Sequence, residues 1–295
     1  MRNTVLCLLA LGLATPLRAG ELVPAEIPAS AQWLLHADLD AMRESDTGKA
    51  VFAEIEAKHG DQFRAFKRMF SVHPMTDLHD VTLYGDGKPE HAVALIQGDF
   101  DRGHMEDVVK GADEYSAGDQ DGTTVHSWKD KGVKQYAAFA KDDLLVFSRQ
   151  EDLLRLALGT LKNGGGETAA DPFFAADGAK PLVSASAHLT GIDMPPDAAR
   201  LLKMASTLRF AVSEQSGRFS VRAGAEAPDA KSADRMRRML DGVVAFAEVA
   251  DPKLQGLDLD CKISANPGKP GTAIALSLPV GEWLGLLKKV ADEKK

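Results

Sequence analysis

Apolar and polar positions follow two rhythms along this chain, and the rhythms alternate in the same order twice. Trp33-Leu34-Leu35-His36-Ala37-Asp38-Leu39 alternates with a period of two, the pattern of a strand. From about Thr47 the period lengthens. Val51, Phe52 and Ile55 trace one helical stripe, interrupted at Gly60 and resumed by Phe63, Phe66 and Phe70. Val81–Tyr84 and Ala92–Ile96 then flank Asp86-Gly87, a hairpin signal. A short helix around Met105, Val108 and Val109 follows, then strands near Thr123–Trp128, Gln135–Ala140 and Leu144–Ser148. A helix carrying Leu153, Leu154, Leu156, Ala157 and Leu161 closes this half.

Asn163-Gly164-Gly165-Gly166, followed by Ala169-Ala170-Asp171-Pro172, cannot hold a helix and marks a break. Beyond it the order repeats. Leu182–Leu189 reads as a strand, and Ala198, Leu201, Leu202 and Met204 read as a helix after Pro195-Pro196. Leu208–Val212 and Phe219–Ala223 straddle Ser216-Gly217. Met236, Met239, Leu240, Val243, Val244 and Ala247 trace a longer helix. Strands Leu257–Ile263 and Ala273–Leu278 lead to a last helix with Trp283, Leu286, Leu287 and Val290 on one face. Strand, helix, hairpin, helix, strands, helix is thus written twice. Hairpin-rich strands segregated from helices predict an α+β fold of two similar lobes, mainly antiparallel sheet with helices, arising by tandem duplication. The expected layout is a leader at 1–19, a first lobe at 20–163, a linker at 164–180 and a second lobe at 181–295.

The leader is an export signal. Arg2 gives a positive start, Val5–Leu13 an uncharged apolar run, Pro16 a helix break, and Leu17-Arg18-Ala19 a cleavage site before Gly20. The run suits a signal peptide of roughly 7–15 apolar residues better than a membrane span of about 20. Cys7 lies inside the run and is not placed for lipid attachment. The mature chain is therefore expected in the periplasm or secreted, with no transmembrane segment.

The 295-residue chain has 35 basic and 43 acidic residues, a net charge of −8, and losing Arg2 and Arg18 makes it −10. Lysine and arginine are interspersed with acids, which argues against nucleic acid as a partner. Cys261 is the one cysteine left after cleavage, so an internal disulfide is excluded. It falls on the apolar side of an alternating stretch and reads as a buried core thiol.

Trp33-Leu34-Leu35-His36-Ala37-Asp38-Leu39-Asp40-Ala41-Met42, with Thr47-Gly48-Lys49 just after, resembles the first strand and helix of a group of exported bacterial proteins of unknown function. Ala273–Val280 running into an amphipathic helix is similar to how those chains end. The resemblance implies a two-lobed α+β fold behind a signal peptide and carries over no activity.

Candidate chemistry is sparse. His36, Asp38 and Asp40 stand at i, i+2 and i+4, so on a strand their side chains would project to one face about 6.5–7 Å apart and could converge on a divalent cation. Alternation alone also makes them a solvated face opposite Trp33, Leu35, Ala37 and Leu39. His73, Asp77, His79, Asp80 and His91 form the densest His and Asp neighbourhood, but their spacing matches no helical or Cys/His zinc pattern. Asp119-Gln120-Asp121-Gly122 lacks the remaining ligands of a calcium loop and reads as a turn. Gly87-Lys88 and Gly268-Lys269 lack the first glycine of a phosphate loop, and no Gly-x-Ser-x-Gly elbow occurs. Arg235, Arg237 and Arg238 read as a solvated helix face. The chain is therefore expected to be a binding or scaffold module without a cofactor, its partner an envelope or extracellular protein or a small molecule. The alternative is an exported hydrolase or metal-dependent enzyme using His36, Asp38 and Asp40.

Overall fold

A computed structural model describes residues 20–166, 179–190, 205–250, 256–266 and 269–292. The leader, the stretch 198–204 and most of the expected linker lie outside these residues. The first half contributes β1 (Trp33–Asp38), β2 (Leu78–Gly85), β3 (Ala92–Gly98), β4 (Ser116–Gln120), β5 (Thr123–Asp130), β6 (Val133–Lys141) and β7 (Leu144–Ser148). The second contributes β8 (Pro181–His188), β9 (Thr207–Gln215), β10 (Arg218–Glu226), β11 (Asp260–Ala265) and β12 (Gly271–Pro279). The helices described are α1 (Leu39–Glu44), α2 (Asp46–Phe70), α3 (Arg102–Lys110), α4 (Glu151–Asn163), α5 (Ala230–Ala250) and α6 (Val280–Asp292).

All twelve strands described form one antiparallel sheet in the order β11-β12-β10-β9-β8-β1-β2-β3-β7-β6-β5-β4, an α+β fold. The halves meet where β1 pairs with β8, Leu35 opposite Ala185. Outward from this seam the two wings follow one rule. The first three strands lie side by side, and the last strand returns next to the third with its predecessors beyond it. Each wing also sends a helix across after its third strand (α3, α5) and another after its last (α4, α6). Two-residue turns at Asp121-Gly122 and Ser216-Gly217 carry positive φ at both positions, the hairpin geometry that matches strand twist.

The faces of the sheet differ. The back face of the first wing is buried under α4 and the segment that leads into β1. Leu34, Tyr84, Val93, Leu95 and Val146 pack there against Leu154, Ala157, Leu158 and Ile27. The front face of that wing is overlain by α2 and α3. Strands covered on both sides read as apolar runs, as Tyr136-Ala137-Ala138-Phe139 does. In the second wing both α5 and α6 lie on the front face. Phe219 and Trp283 stack there with ring centroids 4.1 Å apart, and Val221, Leu278, Leu284 and Leu286 pack around them. The back face of that wing is polar: Ser213, Ser220 and Ser277 stand in register across three strands.

Three expectations need correction. The helix read as broken at Gly60 is continuous over Asp46–Phe70. An interior glycine costs only about 1 kcal/mol, and Ser45 caps the helix by accepting from the Gly48 N–H at 2.9 Å. Strand β4 was not predicted, because Ser116–Gln120 is an exposed edge strand without apolar alternation. Cys261 keeps its inward parity but is only half-buried, since β11 is the edge of the sheet.

Candidate functional site

The front face holds two cavities with almost wholly apolar walls. The larger, about 680 Å³, lies between α5 and the strands at the seam. Its floor includes Leu35 of β1, Ala185 of β8, Phe210 of β9 and Ile274 of β12, and its roof Met236 and Met239 of α5. Most of these side chains do not close on one another, although Met236 is buried. Leu35, Leu208 and Phe210 remain 36–39% exposed and Met239 46% exposed, whereas back-face core residues are near zero. Apolar side chains facing an open cavity of this size form an unfilled apolar surface rather than a closed core.

The second cavity, about 580 Å³, occupies the corresponding place in the first wing, between α3, the end of α2 and the sheet. Phe66, Met69 and Met105 face Ile96, Phe139 and Phe147 across it. One buried polar group reaches it. The His126 ring lies against Tyr115, whose hydroxyl is 3.0 Å from Nδ1. Its Nε2 has no hydrogen-bond partner among the described residues, the Glu106 carboxylate being 3.8 Å away. Burial pushes the His126 pKa down, more than Glu106 raises it, with Lys110 and Arg102 adding to the fall. The ring is thus a neutral polar handle in an apolar wall.

The residues named from sequence fall elsewhere. His36 and Asp38 share the back face and are buried, 3% and 1% exposed, rather than solvated; the alternation was right and the assignment of faces was reversed. His36 Nδ1 is 2.9 Å from Thr82 Oγ1, and its Nε2–H donates to the Gly20 carbonyl at 3.1 Å. Asp38 caps α1 by accepting from the Ala41 N–H at 2.7 Å, and Lys180 Nζ lies 2.6 Å from its other oxygen. Asp40 is not on the strand at all. It sits in the first turn of α1 and pairs with Arg43 and with His79. Among the described residues no group of three or more His, Cys, Asp or Glu side chains is placed to hold a metal ion.

The second neighbourhood disperses too. Asp77 accepts from the His73 N–H, His79 lies between Asp40 and Asp99, and His91 meets Asp86. Asp80 points into the back face beside Asp38. Arg237 and Arg238 form pairs with Asp234 along an exposed face of α5.

Burial depresses the His36 pKa against the opposing hydrogen bond to Gly20 and the charge of Asp38. A histidine held neutral by the fold contributes its full stability above its ordinary pKa of about 6.5 and loses it as pH falls through that value. The advantage of the wild type over His36→Gln in urea midpoint is therefore expected to shrink between about pH 7.5 and 5.5. A constant advantage would show that His36 is not held neutral.

The cavity residues were visible in the sequence only as ordinary core positions. Met236, Met239 and Leu240 were read as a packed helical stripe, and nothing in the period of α5 shows that the floor lies too far away to be filled.

No family model matches the chain, and no curated protein matches it in sequence. The fold is similar to that of TP0453 in its crystal form III, with a TM-score of 0.52 at 8% identity over 91% of this chain and 99% of that one. Crystal form I of the same protein gives a TM-score of 0.48 at 8% identity over 91% and 98%. The likeness extends through both wings of the sheet.

Proposed function

We propose that this protein is an exported binding module whose front face takes up an apolar small molecule, an acyl chain being the class that fits, with no catalysis of its own. The observation that carries the reading is the larger cavity. Its 680 Å³ lies within the range of about 300–1,000 Å³ that small-molecule sites occupy. Its walls offer apolar contact and almost no polar selection, which suits a flexible chain better than a polar metabolite. The second cavity repeats the arrangement and adds His126, which could accept or donate one hydrogen bond to a ligand's polar end. The leader pattern supports uptake of such a ligand in the periplasm or outside the cell. Among the described residues no helix is long and apolar enough to cross a membrane.

A fluorescent fatty-acid analogue titrated into the protein from Gly20 to Lys295 is expected to bind saturably at micromolar concentration, about −8 kcal/mol, and to be displaced by palmitate. Ala185→Phe, which builds a ring into the floor of the larger cavity, is expected to weaken binding at that site at least about tenfold, since one lost apolar contact region of this kind is worth 1.4 kcal/mol or more. Absence of saturable binding, or binding indifferent to Ala185→Phe, overturns the proposal.

A further inference from the structure

Gly20, the residue expected to follow the leader cut, is not a loose end. Its backbone N–H donates to the Asp80 carboxylate, and its carbonyl accepts from His36 Nε2 at 3.1 Å. It has a φ of +92°, and a Cβ placed on it would lie 2.5 Å from Asp38 Oδ1. Glycine is thus required there twice over, by the backbone and by the approach to Asp38. The chain then runs on through Leu22, Ile27 and Ala31 into the back-face core. Gly20, His36, Asp38 and Lys180 line a common recess of about 300 Å³.

We propose that this recess is a receptor for the protein's own new N-terminus: removal of the leader converts the Gly20 amide into an ammonium that pairs with the buried carboxylates of Asp80 and Asp38. Hydrolysis of the Ala19–Gly20 bond gives the hydroxyl of water to the Ala19 carbonyl and a hydrogen to the Gly20 nitrogen. That amine takes a further proton from solvent at neutral pH. The inference rests on the export reading and is independent of the cavity. It makes processing a step in folding, since the segment that closes the back face is fastened by a charge the precursor lacks.

Charge in the recess and beside it, where Asp80 of β2 stands opposite Asp38, supports this. Lys180 serves Asp38, whereas Asp80 has no ion-pair partner among the described residues. Burial pushes the Asp80 pKa up to about 7, helped by the negative charges of Asp38 and of Glu26 on the turn before β1, against the hydrogen bond from Gly20 and the neighbouring His79. His36 beside it is held neutral by burial. With only an amide at Gly20, Asp80 therefore ionises near neutrality only at a cost in stability. A raised carboxyl pKa gives stability that is complete below the unfolded value and is lost as pH rises through the folded one. An adjacent ammonium removes that loss.

The test compares two forms of the chain ending at Lys295, one beginning with a free Gly20 and one retaining Ala19 with an acetyl cap. At pH 7.5 the free form is expected to melt at least about 3 °C higher, the shift expected for a buried charge pair in a protein of this size. The gap should narrow toward pH 4, where Asp80 of the capped form is protonated and its ionisation no longer costs stability, and again in alkali as the amine loses its proton. Asp80→Asn should remove most of it, because Lys180 already serves Asp38. Should that variant fail to fold, the α-amino pKa, read from the pH dependence of its acylation, is expected well above the ordinary 7.7–8.0. Equal melting of the two forms at pH 7.5, an unshifted α-amino pKa, or an exported chain that begins elsewhere than Gly20 overturns the proposal.

Discussion

Residues 20–163 produced without the second half are expected to aggregate or self-associate, and to recover a folded, monodisperse state when residues 181–295 are co-expressed. The first half has its own core, but its inner boundary is β1, and β1 is paired on both sides. In the intact chain five of its residues, Trp33 to Ala37, face Ala187 to Val183 on β8, and the His188 N–H donates to the Gln32 carbonyl at 2.7 Å. Cutting the sheet there exposes a row of unpaired backbone groups flanked by Trp33 and Leu35, an edge without lysine or proline, whose one charged side chain, Asp38, stands at its end. A second tie is lost with it. Glu214 of β9 accepts from the Asp46 and Thr47 N–H groups at 3.0 and 2.8 Å and so caps the start of α2 from the other half. Hydrogen bonds to a charged group are worth about 1.5–3 kcal/mol. Size-exclusion chromatography and urea unfolding of the fragment check this. A monomeric fragment that unfolds with the midpoint of the full-length protein would show the seam to be energetically minor.

The seam also explains what could and could not be read from the sequence. Periodicity is a local signal, and it located β1, β9, β10, β12, α3 and α4 because each carries its apolar residues at the spacing its own structure demands. Pairing between β1 and β8 was not legible, since nothing in Trp33–Asp38 distinguishes a strand at the centre of a sheet from one at its margin. Face assignment failed at the same place. With apolar residues at Leu34 as well as at Trp33 and Leu35, either side of β1 could have been the core, and the polar parity of His36 and Asp38 argued for solvent. The fold instead buries them beneath residues 20–31 and satisfies them with Thr82, Gly20, Ala41 and Lys180. Long-range partners of that kind leave no trace in spacing.

The two cavities were hidden by a different limit. A helix that roofs a void and a helix that packs a core carry the same stripe, as Met236, Met239 and Leu240 do. What separates them is the distance to the opposite wall. In the second wing the asymmetry of the sheet makes the void possible. With α5 and α6 both on the front face and mostly polar or small residues on the back, the large apolar residues of β9 and β10 all face the side where α5 stands off.

By contrast, Leu154→Ala is expected to be among the most damaging single truncations in the protein, costing about 2–5 kcal/mol. Leu154 is 0% exposed and sits at the middle of the back-face cluster, where α4 closes over Val146, Leu95 and Val93. Removing its isobutyl group loses the transfer free energy of the buried carbons and leaves a space that the surrounding sheet is too stiff to collapse into. Set against a typical total stability of about 5–15 kcal/mol, such a loss can unfold the first half and take the seam with it. Leu156, two residues along the same helix, supplies the control. It is 44% exposed, so Leu156→Ala should change stability by no more than about 0.5 kcal/mol. Urea denaturation of the two variants beside the wild type reads both changes as shifts in midpoint at constant slope. The same cluster holds Ile27, so loosening α4 should also free the segment that carries Gly20 into its recess. In Leu154→Ala the melting advantage of the free N-terminus over the acetylated one should therefore shrink, whereas in Leu156→Ala it should persist. Equal unfolding midpoints for the two leucine variants would mean that α4 does not pack on the back face as described.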